Sequence, residues 1–197
     1  MAFELIATNP KQTTQNAPLE TLLTYLRVKK IVPFVKNRVV LDFGCGEHLK
    51  ASRAIQKIAD KTLGYDLLFK DLPTQRVEQI DVYGSLDDIK LRVDTIVSLA
   101  CFEHIEPIEL PLILEKLHRI TSDNGQIVGT VPTPSSKPVL EFLSYKLGLI
   151  DSSQIRDHKV YYDKKHLQSV CEKGGWQMKH YSKFQFGFNS FFILGKS

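Results

Sequence analysis

The chain has 197 residues, 43% hydrophobic and 24% charged, with a formal net charge of +4. That suits one globular domain with a substantial core rather than two, and the charge is too small and too scattered to mark a nucleic-acid surface. Three cysteines, Cys45, Cys101 and Cys171, form neither a disulfide framework nor a zinc pattern. The first residues lack a basic start followed by an apolar run, so no signal peptide is read. No apolar stretch is long enough for a bilayer, and a cytoplasmic protein is expected.

In chain order, residues 1–17 are polar and read as a loose arm, leaving 18–197 as the single domain. "APLETLLTYLRVKKIVPFV" places Leu19, Leu22, Leu23 and Leu26 at helical spacing, with Pro18 in the first turn and Pro33 as the expected stop. "RVVLDF" is a short apolar strand, and "HLKASRAIQKIADK" a helix. "TLGYD" and "RVEQIDV" read as the second and third strands, and "VDTIVSLA" as a strongly β-branched fourth. "EPIELPLILEKLHRIT" is a helix that "SDNG" should stop, before a fifth strand, "GQIVGTVP". Apolar strands alternating with helices predict a parallel sheet covered on both faces. Further on, "KPVLEFLSYKLGL" reads as a helix and "DSSQIRDHKVYY" as a loop. "DKKHLQSVCEKGG" is a helix capped by Asp163 and closed by Gly174. "WQMKHYSKFQF" and "SFFILGK", separated by "GFN", predict a hairpin with one antiparallel strand.

The first strand ends in "LDFGCGEH". In an open parallel sheet, ligands bind beyond the carboxyl ends of the strands where the strand order reverses. Gly44 and Gly46 allow a tight turn and close approach. A dinucleotide fingerprint needs a third glycine, and that position is Leu49. Asp42 precedes the glycines; a carboxylate there suits an ammonium better than a pyrophosphate. Asp66 ends the second strand about twenty residues on, where an acid accepts from ribose hydroxyls. Asp81, next to Val82, is one candidate to accept from an adenine amine, and Asp87 and Asp88 nearby are the others. A ligand with a cationic amine, a carboxylate, a ribose and an adenine, and no phosphate, matches S-adenosylmethionine.

With these motifs in this order the chain resembles the class I S-adenosylmethionine-dependent methyltransferases of small-molecule type, the methyltransferase 11 or 12 domains. "LDFGCGEH" is similar to their D-x-G-x-G motif, "GYD" to the ribose acid and "IDV" to the adenine-side acid. "DTIVSLACFEHI" resembles the fourth-strand motif that ends in a Glu-His pair, and "DHKVYYDKKHLQSVCEKGGW" the late His-helix-Gly segment. Glu47 and His48 depart from the small residues common there. The resemblance implies an α/β, Rossmann-like three-layer sandwich. Its seven-stranded, mostly parallel sheet would have the order 3-2-1-4-5-7-6, with strand 7 antiparallel. It also implies a cofactor-binding set of Asp42, Gly44, Cys45, Gly46, Asp66, Asp81, Val82 and Ala100. Cys45 packs within the loop, while Ala100 and Cys101 line the pocket by backbone.

Methyl transfer from a sulfonium is an in-line displacement in which positioning and desolvation do much of the work. A hydroxyl acceptor also needs a base. His158, in the loop over the acceptor pocket, is the first candidate and His104 the second. Tyr161 and Tyr162 either line that pocket or join the core, and His118 and His166 fall on helix surfaces. The asparagine-proline-proline motif for amino groups on bases and proteins is absent. By elimination the acceptor is a small molecule, such as a sugar or a lipid-linked intermediate, and the protein a monomer or homodimer. Two other readings stay open: a nicotinamide-dependent reductase on a similar sheet, and a non-catalytic cofactor- or partner-binding subunit.

Overall fold

The structure, a computed structural model, describes residues 18–138 and 158–197. The expected N-terminal arm and most of the helix expected in "KPVLEFLSYKLGL" lie outside the described residues.

Helix α1 (Pro18–Val35) leads into strand β1 (Val39–Phe43), a short helix α2 (Lys50–Ile55) and β2 (Lys61–Tyr65). Two small strands follow, β3 (Gln75–Val77) and β4 (Ile80–Tyr83), and then β5 (Val93–Leu99). Helix α3 (Leu110–Ile120) runs directly into β6 (Thr121–Pro132). Helix α4 (Lys164–Lys173) and the hairpin β7 (Trp176–Phe184) and β8 (Asn189–Lys196) close the chain.

One eight-stranded sheet has the order β3-β4-β2-β1-β5-β6-β8-β7. The five strands from β4 to β6 are parallel, and β8 is antiparallel to both β6 and β7. Without β3 this is the expected seven-stranded order. The eighth strand arises because "RVEQIDV" is two strands rather than one. Glu78 takes a left-handed φ of 57° and folds β3 back antiparallel on β4.

Each central strand is buried on both sides, because successive side chains point to opposite faces. Leu41, Ile96, Ile127 and Phe192 pack with Leu110, Leu114 and Leu117 of α3 and Leu167, Val170 and Cys171 of α4. Their neighbours Val40, Val97, Val128 and Phe191 pack with Ile31 and Val35 of α1 and Ile55 of α2. These are the three layers.

Local chemistry moves three of the predicted boundaries. Pro33 sits within α1, which continues to Val35. Helix α2 is shorter than predicted. "SDNG" makes a bulge within β6, where the register against β5 jumps from Val93↔Thr121 to Thr95↔Gln126. Asp94 holds the bulge: its carboxylate accepts from Ser122 Oγ at 3.2 Å and from Val39 N at 3.0 Å.

Candidate functional site

The turn after β1 is fastened to the end of β2. The backbone N–H groups of Gly44 and Cys45 donate to the Tyr65 carbonyl at 2.8 and 3.1 Å, and Gly46 N donates to Asp66 Oδ2 at 2.9 Å. The other Asp66 oxygen accepts from Leu68 N at 3.0 Å. Gly44 has φ 80° and Gly46 φ 65°, the left-handed region that favours glycine. A Cβ on Gly44 would stand 2.4 Å from Cys101 Sγ, so the turns after β1 and β5 touch there. A Cβ on Gly46 would meet nothing within 4 Å, so that side of the loop faces open space.

Asp42 is buried at 2% exposure and accepts from Ser52 Oγ of α2 at 2.5 Å. Burial first, and the nearby Asp66 charge after the opposing Ser52 bond, push its carboxyl up to about 6. Burial and the Glu103, Asp66 and Asp42 charges push the Cys101 thiol well up. Asp42 and Asp66 thus act on one another at the ends of β1 and β2. A cation brought beside the two carboxyl groups is favoured there, and a phosphate disfavoured.

The loop amides make the same discrimination. A phosphate-binding turn aims its N–H groups at the ligand, whereas those of Gly44, Cys45 and Gly46 are all bonded within the protein. Leu49, at the place of a third glycine, is buried and packs with Cys45, Ile80 and Val82 beneath the loop.

Asp42, Gly44, Cys45, Gly46 and Asp66 thus come together, and Val82 supports them from below. Ala100, with φ 53°, leads out of β5 next to Cys101 and donates its N–H to Thr130 O. Asp81 does not join them. β4 runs on to Tyr83, so Asp81 is mid-strand, ion-paired to Lys61 at 2.9 Å and to Arg76 at 3.9 Å. Sequence reasoning passed over Leu67 and Leu68. They are 64% and 66% exposed directly after Asp66 and offer an apolar surface beside it. An exposed apolar pair next to a strand-end acid was the available signal.

A second cluster follows β5. The turn Phe102–His104 carries Glu103, 1% exposed, with neither carboxylate oxygen hydrogen-bonded among the described residues. Burial pushes its carboxyl up to about 7, against the lowering pull of its own backbone N–H and of Arg27. The rings of His104 and His158 meet edge to face at 4.8 Å. His158 Nδ1 lies 3.0 Å from the Tyr161 hydroxyl. The two histidines predicted from sequence are therefore neighbours; Glu103 and Tyr161 complete the group. Tyr162 is core, His166 packs on its ring, and half-buried His118 stands edge-on to Trp176.

This fold, with its glycine turn and two acids at the reversal of strand order, is that of the class I S-adenosylmethionine-dependent methyltransferases. A family model described as a methyltransferase domain matches residues 16–181, and the chain belongs to that family. Among solved structures it is similar to the pyocyanin biosynthetic protein PhzM, with 14% identity and TM-score 0.64 over 93% of this chain and 59% of that one. The chain thus spans less than two thirds of PhzM. It is also similar to a 1,6-didemethyltoxoflavin N1-methyltransferase of Burkholderia thailandensis, with 12% identity and TM-score 0.64 over 94% and 84% of the two chains. A third is an S-adenosylmethionine-dependent methyltransferase of Mesorhizobium loti, with 14% identity and TM-score 0.61 over 89% and 99%. At these identities the likeness is one of fold. No curated protein matches the chain. Among the described residues no helix is long and apolar enough to cross a membrane.

Proposed function

We propose that the protein binds S-adenosylmethionine in the loop between β1 and β2 and transfers its methyl group to a small-molecule acceptor. The observation that carries this is the pairing of two neighbouring acids, Asp42 and Asp66, with loop amides already consumed inside the protein. Such a site suits a cationic nucleoside without phosphates. Asp66 holds the ribose, Leu67 and Leu68 give the base an apolar surface, and Asp42 acts on the ammonium. Open space beside Gly46 leaves room for the chain between them. The bound cofactor supplies a methyl group already activated on a positive sulfur, so the protein's task is to orient the acceptor and exclude water.

A hydroxyl acceptor must also lose a proton. His158, touching His104 beyond β5, is the residue proposed to take it. The small-molecule class is supported by the missing asparagine-proline-proline motif and by the toxoflavin and pyocyanin pathway proteins of like fold. A sugar or lipid-linked acceptor falls within that class.

Calorimetry with S-adenosylmethionine and S-adenosylhomocysteine tests the reading. We expect saturable 1:1 binding. Asp66→Ala should weaken it at least tenfold, because it removes the ribose acceptor and releases two backbone donors, a loss of the size of a charged hydrogen bond. Asp81→Ala should leave it unchanged. Absence of binding by either compound, or preferential binding of a nicotinamide dinucleotide, overturns the proposal. Release of S-adenosylhomocysteine with candidate acceptors then separates an enzyme from a non-catalytic binder.

A further inference from the structure

The fold does not explain the surroundings of Glu103. A carboxylate at 1% exposure, whose oxygens make no well-formed hydrogen bond among the described residues beyond the pull of its own backbone N–H, is costly unless something pairs with it. Arg27 of α1 is near enough to act on its charge but does not hydrogen-bond it. The residues are nonetheless held in place. The N–H groups of Lys159 and Val160 donate to the Glu103 carbonyl at 2.8 and 3.3 Å, which pins the segment carrying His158 against the turn carrying Glu103 and His104. One donor atom each from Glu103, His104 and His158 lies within 4.8 Å of the others.

We infer that Glu103, His104 and His158 form a binding site for one divalent transition-metal ion. Two imidazoles and one carboxylate, with further positions open, are the donor set of catalytic zinc sites and of mixed nitrogen-oxygen sites for other first-row metals. Imidazole donors disfavour magnesium and calcium, which take oxygen. Ligands about 2.1 Å from a metal stand roughly 3–3.5 Å apart. The 4.8 Å spread is wider than that range, so binding requires the half-buried His104 and His158 side chains to turn toward Glu103. The Tyr161 hydroxyl, 3.0 Å from His158 Nδ1, provides the kind of outer contact that orients a ligating ring.

The existence of this site is independent of the methyl-transfer reading; its purpose rests on it. The open positions suit an oxygen of the acceptor, oriented by the metal beside the cofactor loop. With the metal bound, His158 serves as a ligand and the proton of a coordinated hydroxyl leaves to solvent as its pKa falls; the role of base proposed for His158 belongs to the metal-free site.

The test uses the untagged full chain, stripped with a chelator and titrated with Co²⁺ under visible absorption, then with Zn²⁺ as competitor. The expected result is one Co²⁺ per chain with d–d bands, displaced by Zn²⁺. Affinity should drop at least tenfold in both His158→Ala and the isosteric Glu103→Gln, with circular dichroism confirming that each variant is folded. No saturable uptake, or uptake unchanged in both variants, overturns the site and leaves Glu103 to the Arg27 charge alone. Calorimetry with S-adenosylhomocysteine on the same samples keeps the two ideas separate. A failed metal titration with intact nucleoside binding rejects only the metal, and the reverse rejects only the methyl donor.

Discussion

Asp42 is an acid kept at a cost. Its folded pKa of about 6 stands above the ordinary 3.8, so the native state holds its proton more tightly than the unfolded chain does. Stability from this group is therefore greatest below about pH 4, falls as pH rises toward 6, and stays at its lowest above that. Two pKa units correspond to about 3 kcal/mol at most. Asp42→Asn keeps an acceptor for Ser52 Oγ and removes the buried charge. Denaturant unfolding at pH 4.5 and 7.5 should show the variant more stable by about 1–3 kcal/mol at the higher pH, with the wild-type difference between the two pH values reduced. The same variant should bind S-adenosylmethionine more weakly, because the unrelieved charge that destabilises the free protein is what a cationic ligand relieves. A pH difference as large as wild type would show that Asp42 is not the source. Gly44 and Gly46 separate strain from contact at the same loop. Both have positive φ, but only at Gly44 does a Cβ strike a neighbour, the Cys101 sulfur. Gly44→Ala should therefore lower the denaturation midpoint more than Gly46→Ala, and adding Cys101→Ala should recover part of the loss. Equal effects of the two single variants would leave backbone strain as the whole explanation.

Element boundaries follow from contacts at different sequence distances, and this decides which of them the sequence could reveal. The cap of α4 at Asp163 and the final hairpin are set by residues close together in the chain, and the turn after β1 is marked by its own glycines although Tyr65 and Asp66 fasten it. Asp163 Oδ1 accepts from His166 N at 2.8 Å as its position predicts. The α3–β6 junction is set otherwise. "SDNG" carries turn residues, but Asp94, nearly thirty residues earlier, holds them as a bulge inside a strand. The β3–β4 hairpin turns on Glu78 and Gln79, neither a usual turn residue for positive φ. Reading it as one strand brought Asp81 too near the strand's end. Asp66 was legible because it ends its strand; Glu103 was not, because a buried acid in a short turn shows only once the packing around it is known. The seam of α3, α4 and β7 gives a sharp test of packing across elements. Trp176 Nε1 donates to the Leu114 carbonyl at 3.0 Å, and a Cβ on Gly174 would fall 2.4 Å from Leu114 Cβ. Gly174→Ala should cost about 1–3 kcal/mol by overpacking, read from the denaturation midpoint. An unchanged midpoint would mean that α3 and α4 slide apart freely.

At the scale of the whole molecule, strand β1 and the glycine loop after it are wired to both sides of the sheet. Strand β1 sends Leu41 and Phe43 into the layer under α3 and α4, and Val40 into the layer under α1 and α2. The loop after it drops Cys45 and Leu49 onto Ile80 and Val82 of β4. A ligand that stiffens this loop should therefore stabilise the whole domain rather than one edge. At a hundredfold excess over its dissociation constant, a ligand that binds only the folded state adds about 2.7 kcal/mol. For a chain of 197 residues, that corresponds to a rise in Tm of roughly 5–10 °C. Differential scanning calorimetry should show one transition that moves intact by this amount with S-adenosylhomocysteine, and by about half as much or less in Asp66→Ala at the same ligand concentration. Two transitions, only one of them ligand-dependent, would show that the loop stabilises a subdomain and that residues 18–197 do not unfold as a unit. A single transition with no shift would separate cooperativity from the site, leaving the fold intact and the nucleoside assignment rejected.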